Sequence, residues 1–159
     1  ALISDTGMRL SEALGLQISD IVTQHGVTFV SIKENPWRPL KTRSSTRTIP
    51  LVGAALWACD SLLQASQSGL LFSRYCNGKT TKSNSASAAL NKWLKPRVPS
   101  GCVVHSFRHS FRDRLRSVEC PNEIIDQLGG WSSSSVGAKY GLGYPNELLR
   151  NWMKKISLD

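Results

Sequence analysis

The run Val27-Thr-Phe-Val-Ser-Ile32 limits the fold more than any other stretch of the chain. It is dense in β-branched and aromatic residues and reads as a strand, whereas the chain on both sides carries apolar residues at helical spacing. Pro36-Trp-Arg-Pro-Leu-Lys-Thr42 then leads into a second short strand, Ser44-Ser-Thr46 supplies a polar turn, and Arg47-Thr-Ile-Pro-Leu51 returns. The prolines place these strands at an edge or end them early.

Around that sheet, Leu2, Ile3, Leu10, Ala13 and Leu14 share one side of a first helix, which Gly7 weakens. A helix over 54–67 has Leu56, Cys59, Leu62 and Leu63 as its stripe and stops at Gly69. Residues 73–81 read as a polar, basic loop. The next helix, 83–95, turns Ala86, Ala89, Leu90, Trp93 and Leu94 inward and is halted by Pro96. Further helices are predicted over 106–118, 121–128 and 145–156. The sum is a mostly helical α+β domain with a small antiparallel three-stranded sheet near its N-terminus, and 159 residues suffice for one domain with a real core. Trp57, Trp93 and Trp152 fall on apolar stripes and are expected as core or docking residues. Leu148, Leu149, Trp152 and Ile156 form a stripe that either folds back on the domain or docks on a neighbour.

Charge narrows the function. The net charge is +9, and residues 35–116 carry fourteen basic side chains against two acidic ones, while the flanking segments are near neutral. Such a field suits a polyanion, nucleic acid foremost, the bland reading being a solvated basic surface. No apolar run is long enough to span a bilayer, and the N-terminus lacks the features of a signal peptide, so no membrane role is expected. Cys59, Cys76, Cys102 and Cys120 form no Cys-x-x-Cys pair, and with His25, His105 and His109 they give no zinc spacing. Reduced, buried thiols in a cytoplasmic protein are expected, with no metal.

Four segments carry the chemistry: Thr6-Gly-Met-Arg-Leu-Ser-Glu12, Leu40-Lys-Thr-Arg43, His105-Ser-Phe-Arg-His109, and Leu128-Gly-Gly-Trp131 followed nine residues later by Tyr140. In this order they resemble the tyrosine recombinases, the phage-type integrases. That family runs from a first Arg through a hairpin Lys, His-x-x-Arg, and a His or Trp to a nucleophilic Tyr. The resemblance covers nearly the whole chain and implies Arg9, Lys41, His105, Arg108, Trp131 and Tyr140 as catalytic residues. Trp131 stands where many members have His.

The chemistry asks for these residue types independently. Breaking a phosphodiester without metal requires neutralising charge that grows on the non-bridging oxygens, and the planar forks of Arg9 and Arg108 suit that clamp. His105 lies three residues before Arg108, on one helical face with it, and exchanges protons near neutrality. Lys41 either protonates the departing 5′-oxygen or only touches phosphate. Trp131 donates a hydrogen bond or packs. Glu12, one turn after Arg9, orients a neighbouring base, and His109 is expected inside the bundle. Arg38, Arg43, Arg47 and Arg112 are expected to contact DNA, and Arg114 and Arg116 to lie on a solvated or DNA-facing surface. Tyr144 competes with Tyr140 as nucleophile, but precedes Pro145 and lies farther from Trp131.

The resemblance implies metal-free cleavage and rejoining of double-stranded DNA through a 3′-phosphotyrosyl link, with no cofactor, in a bacterial or phage-encoded, nucleoid-associated protein. It further implies a homotetramer on DNA and accessory DNA-bending or directionality proteins. A noncatalytic DNA-binding module on the same scaffold and a relaxing enzyme like a type IB topoisomerase are the alternatives. The chain does not open with Met, and residues 1–159 read as a single catalytic domain. They are expected to lack an N-terminal DNA-embracing domain and the start of the catalytic domain itself.

Overall fold

The computed structural model describes residues 1–66, 69–132 and 143–157. Seven α-helices occur among them: α1 (Leu2–Thr6), α2 (Leu10–Leu14), α3 (Gly53–Ala65), α4 (Ser83–Leu94), α5 (Ser106–Ser117), α6 (Asn122–Gly129) and α7 (Asn146–Ile156). The sheet has three antiparallel strands, β1 (Ile21–Gln24), β2 (Val27–Ile32) and β3 (Arg47–Pro50), in the order β1-β2-β3. This is the mostly helical α+β architecture with a small sheet that the sequence predicts.

The strands differ from expectation in their identity. β1 precedes the Val27 run, and Gln24 pairs with Val27 across a two-residue turn, His25-Gly26. Both turn residues have positive φ, 49° and 73°, the geometry of a type I′ hairpin, whose twist matches its strands. No strand forms over 36–42. Asn35 and Arg38 close a tight turn there through paired backbone bonds of 3.3 and 3.0 Å, and Arg43–Ser45 is a single 3₁₀ turn leading into β3.

The single first helix is in fact two. Gly7 ends α1 with φ of 62°, and a Cβ at this position would lie 2.3 Å from the Phe111 ring. Only glycine allows both the left-handed backbone and the close approach of α5.

The core forms where the sheet meets the surrounding helices. Val30, Ile32 and Ile49 from the strands are buried with Phe111 and Leu115 of α5, Ile124, Ile125 and Leu128 of α6, and Leu149 and Met153 of α7. The tail helix α7 therefore packs on β3 and α5 of its own chain. Of the three tryptophans expected at buried or docking positions, only Trp152 packs against the core; Trp57 and Trp93 are 68% and 57% exposed. α4 buries Ala86 and Leu94 and leaves Leu90 outside, because its neighbours cover only a narrow strip of it.

Arg114 is not a surface charge. It donates to the Asp5 carboxylate at 3.1 Å, to the Ile156 carbonyl at 2.6 Å and to the Ser4 carbonyl, tying α1 and α7 to α5. Arg116, by contrast, is exposed and pairs with Asp113. Cys59, Cys76 and Cys120 are buried and Cys102 is exposed, all four as free thiols. Among the described residues no helix is long and apolar enough to cross a membrane, and no cluster of three or more metal-ligating side chains occurs.

Candidate active site

Arg9 occupies the cap position of α2, where a helix leaves its first N–H groups unpaired. Glu12 answers from the first turn. Its carboxylate accepts the Arg9 backbone N–H at 2.8 Å and Arg9 Nη1 at 2.6 Å, so the peptide and the guanidinium are fixed together. Arg9 Nη1 also donates to Ser45 Oγ at 3.0 Å, which joins α2 to the 3₁₀ turn after Lys41.

Glu12 is 2% exposed and receives a second guanidinium, Arg47 Nη2, at 2.9 Å. Burial alone would raise its carboxyl, but the charge and hydrogen bonds of Arg47, with the bonds from Arg9, bring it below the ordinary value. Glu12 is thus an ionised strut between two arginines.

Arg108 stands in the first turn of α5 and is 4% exposed. Its Nη1 donates to the Gly7 carbonyl, while Nη2 is buried with no hydrogen-bond partner. Burial first, then repulsion from Arg9 and Arg47, draws its guanidinium down to about 10. An unpaired donor inside a cluster of like charges is costly as it stands, and an anion would relieve it.

His105 is exposed at the start of α5. Its imidazole is held below the ordinary value by partial burial and by His109, Arg108, Arg9 and Lys41. Those four neighbours put Lys41, itself exposed ahead of the 3₁₀ turn, in the same field. A cavity of about 140 Å³ opens beside His105 and Arg108, lined also by Met8 and Ser87. His109 is not inside the bundle: it is exposed, its ring 5.2 Å from that of His105 in an edge-on contact.

Trp131 closes the floor. Its ring lies against Gly129, where an added Cβ would sit 1.7 Å from it, and Gly130 turns the chain with φ of 64°. The Arg108 guanidinium lies 4.3 Å and that of Arg112 4.8 Å from the ring centroid, close enough for cation–π attraction. Arg112 also reaches Asp126 at 3.4 Å.

Arg9, Glu12, Lys41, His105, Arg108 and Trp131 therefore meet in one cationic recess, built from α2, the segment before β3, α5 and the end of α6. Two arginines expected on the DNA side do not face out. Arg38 is 1% exposed and donates to Asp20 at 2.9 Å, Lys33 O at 3.0 Å and Gly15 O at 3.2 Å. Arg47 is buried on Glu12 and on the Leu128 and Ser45 carbonyls, both at 2.8 Å. Each neutralises an interior carboxylate and is buried with it, so neither presents its guanidinium at the surface where a phosphate would lie. Tyr140 and the side chain of Arg43 lie outside the described residues.

Tyr144 is tied down on α6. Its hydroxyl donates to Glu123 at 2.5 Å, a bond that raises its pKa, and its backbone is clasped by Gln127. Ser45 is the site residue that sequence reading missed; its signal was the polar turn lying between the hairpin lysine and Arg47.

The phage integrase family matches residues 1–142. Tyrosine recombinase XerD of Mycobacterium leprae (strain TN) is 23% identical over 163 residues, covering 95% of this chain and 49% of that protein, so the chain spans about half the length of this relative. Among solved structures, the Tn1549 transposon integrase with circular intermediate DNA superposes with a TM-score of 0.65 at 19% identity, covering 98% of this chain and 58% of that one. The XerH site-specific recombinase bound to difH substrate gives 0.58 at 19% identity, over 94% and 40%. The fold is that of these recombinases, and the family match takes in every segment of the recess: the chain belongs to the phage integrase family.

Proposed function

We propose that residues 1–159 act as the catalytic domain of a site-specific DNA recombinase or integrase, cutting and rejoining double-stranded DNA without metal or cofactor. One observation carries the reading: Arg9 and Arg108, 99 positions apart in the sequence, share a recess in which a buried Arg108 donor lacks a partner. A scissile phosphate supplies the missing acceptor. The similar XerH and Tn1549 proteins, whose structures are DNA complexes, support the same substrate class.

In this mechanism Arg9 and Arg108 hold the non-bridging oxygens as their charge grows. The Tyr140 phenol oxygen attacks phosphorus, giving its proton to neutral His105. A phosphotyrosyl bond forms on the 3′ side, and the bond to the 5′-oxygen breaks as that oxygen takes a proton from Lys41. Trp131 keeps the Arg108 fork in plane. The strand is rejoined by the reverse steps. Assembly as a tetramer on DNA, accessory DNA-bending or directionality proteins, and action in the cytoplasm on nucleoid DNA belong to the same reading.

A nicked suicide substrate tests it, because loss of the short 5′-OH fragment traps the adduct. The expected result is an SDS-resistant, proteinase-sensitive band that maps by mass spectrometry to Tyr140. Tyr140→Phe forms none, and Tyr144→Phe retains it. Arg108→Ala lowers cleavage by about 10²–10³-fold, the scale for losing one charge-stabilising donor, and weakens DNA binding far less. DNA binding with no adduct would make the chain a noncatalytic module, and an adduct on Tyr144 would reassign the nucleophile.

A further inference from the structure

Arg47 is buried behind the recess, yet it bonds three of the four parts of the recess wall. Its Nε donates to the Leu128 carbonyl and its Nη1 to the Ser45 carbonyl, both at 2.8 Å. Its Nη2 and Nη1 reach the two Glu12 oxygens at 2.9 and 3.4 Å. These three acceptors belong to the last turn of α6, the turn after Lys41, and α2. The guanidinium also lies flat on Gly130, where a Cβ would come within 2.7 Å of Nη1. Leu128 and Gly130 carry the backbone into Trp131, on whose ring Arg108 rests.

We propose that Arg47 is a positioning residue for the phosphate clamp. It acts through Glu12 on Arg9 and through the Leu128–Gly130 backbone on Trp131 and Arg108. The inference rests on the recombinase reading above.

The electrostatics explain why an arginine is needed. Arg9 and Arg108 repel each other, and Glu12 is the carboxylate that holds Arg9 back. A carboxylate facing Arg9 alone would be free to rotate and follow it. Gripped on both oxygens by a second fork, Glu12 becomes a fixed post, and Arg9 is aimed by the post and by Ser45. Lysine has the charge but not the planar fork, so it cannot grip both Glu12 oxygens while bonding two carbonyls in different directions. A clamp misplaced by about 1 Å can cost roughly 10²-fold in rate with little change in binding.

The test is Arg47→Lys in the full chain, assayed with the nicked substrate at saturating DNA. Cleavage is expected to fall by about 10- to 100-fold, with unchanged DNA affinity. A substrate with a neutral methylphosphonate at the scissile position leaves less charge to neutralise, so the defect should shrink on it, and the defect of Arg9→Ala should shrink in parallel. A defect equal on both substrates, or one that appears wholly in affinity, overturns the proposal. Gly130→Ala, which presses on the guanidinium and keeps its charge, should reproduce the charge-dependent defect. Failure of both variants to fold would make Arg47 a stability residue and nothing more. Absence of cleavage by the wild type would sink the recombinase reading separately. The ¹⁵N-arginine spectrum then decides: Arg9 ordered in the wild type and freed by Arg47→Lys supports positioning, and Arg9 equally mobile in both refutes it.

Discussion

At the residue scale, the position of a charge says less than its partner. Arg38 and Arg47 belong to the most basic stretch of the chain, yet each is sealed against one interior carboxylate. Counting charges along a sequence cannot see this, because Asp20 and Glu12 lie 18 and 35 positions away from their partners. Arg38→Ala is therefore expected to behave as a core mutation. It strands the Asp20 carboxylate, and breaking a buried pair costs about 3–5 kcal/mol. Urea unfolding should report that loss while DNA affinity below the new midpoint stays as it was; a weakened affinity with normal stability would return Arg38 to the DNA face. His105 makes the opposite case, since exposure does not leave it ordinary. Burial and the cations around it depress its pKa below 6.5, so the imidazole is neutral at pH 7 and protonates only further into acid. The ring-proton NMR titration should have its midpoint below 6.5, and Arg9→Gln should move it upward by removing one repelling charge. A midpoint at or above 6.5 in the wild type would contradict the shared field.

At the scale of elements, periodicity located the helices well where one long face is buried. The expected spans 106–118, 121–128 and 145–156 correspond to α5, α6 and α7, because Phe111, Leu115, Ile124, Leu128, Leu149 and Met153 all turn to one core. For α4 the expected span 83–95 also matches, but not the inward face, because this helix meets its neighbours along a strip too narrow to cover Leu90 and Trp93. The sheet was legible in its size and not in its first strand. β1 has only four residues, three of them exposed, so it carries no apolar alternation, and its signal is the positive-φ turn at His25-Gly26. Of the site, the ordered motifs and the polar turn that holds Ser45 were readable, whereas the bond from Arg9 to Ser45 and the inward turn of Arg47 onto Glu12 join distant segments and are encoded by no local pattern. Gly7 connects element to site: it stops α1, admits Phe111, and offers its carbonyl to Arg108. Gly7→Ala combines a left-handed penalty of about 1–2 kcal/mol with an overpacking cost of about 1–3 kcal/mol. Denaturant unfolding measures the sum, and a variant as stable as the wild type would show that α5 can retreat from α1 freely.

At the scale of the whole molecule, no acidic residue occurs between Asp60 and Asp113, and this span includes α4 and the start of α5 with His105 and Arg108. On the proposed reading, a duplex approaching these elements would meet cations with no carboxylate interspersed along that span. Binding to DNA of any sequence is expected to weaken steeply with salt, log K falling by about 0.9 per decade of salt for each phosphate neutralised. Affinity measured between low and physiological salt checks this, and a flat response would remove the polyanion from the account. The contacts of Arg114 add a mechanical property. One guanidinium on α5 grips the first helix through Ser4 and Asp5 and the last through Ile156. Tension applied to α1 or α7 is thus delivered to the helix that opens with His105 and Arg108, and from α7 to β3 as well. Displacing either terminal helix would therefore load the same guanidinium, and through it the helix that carries the recess.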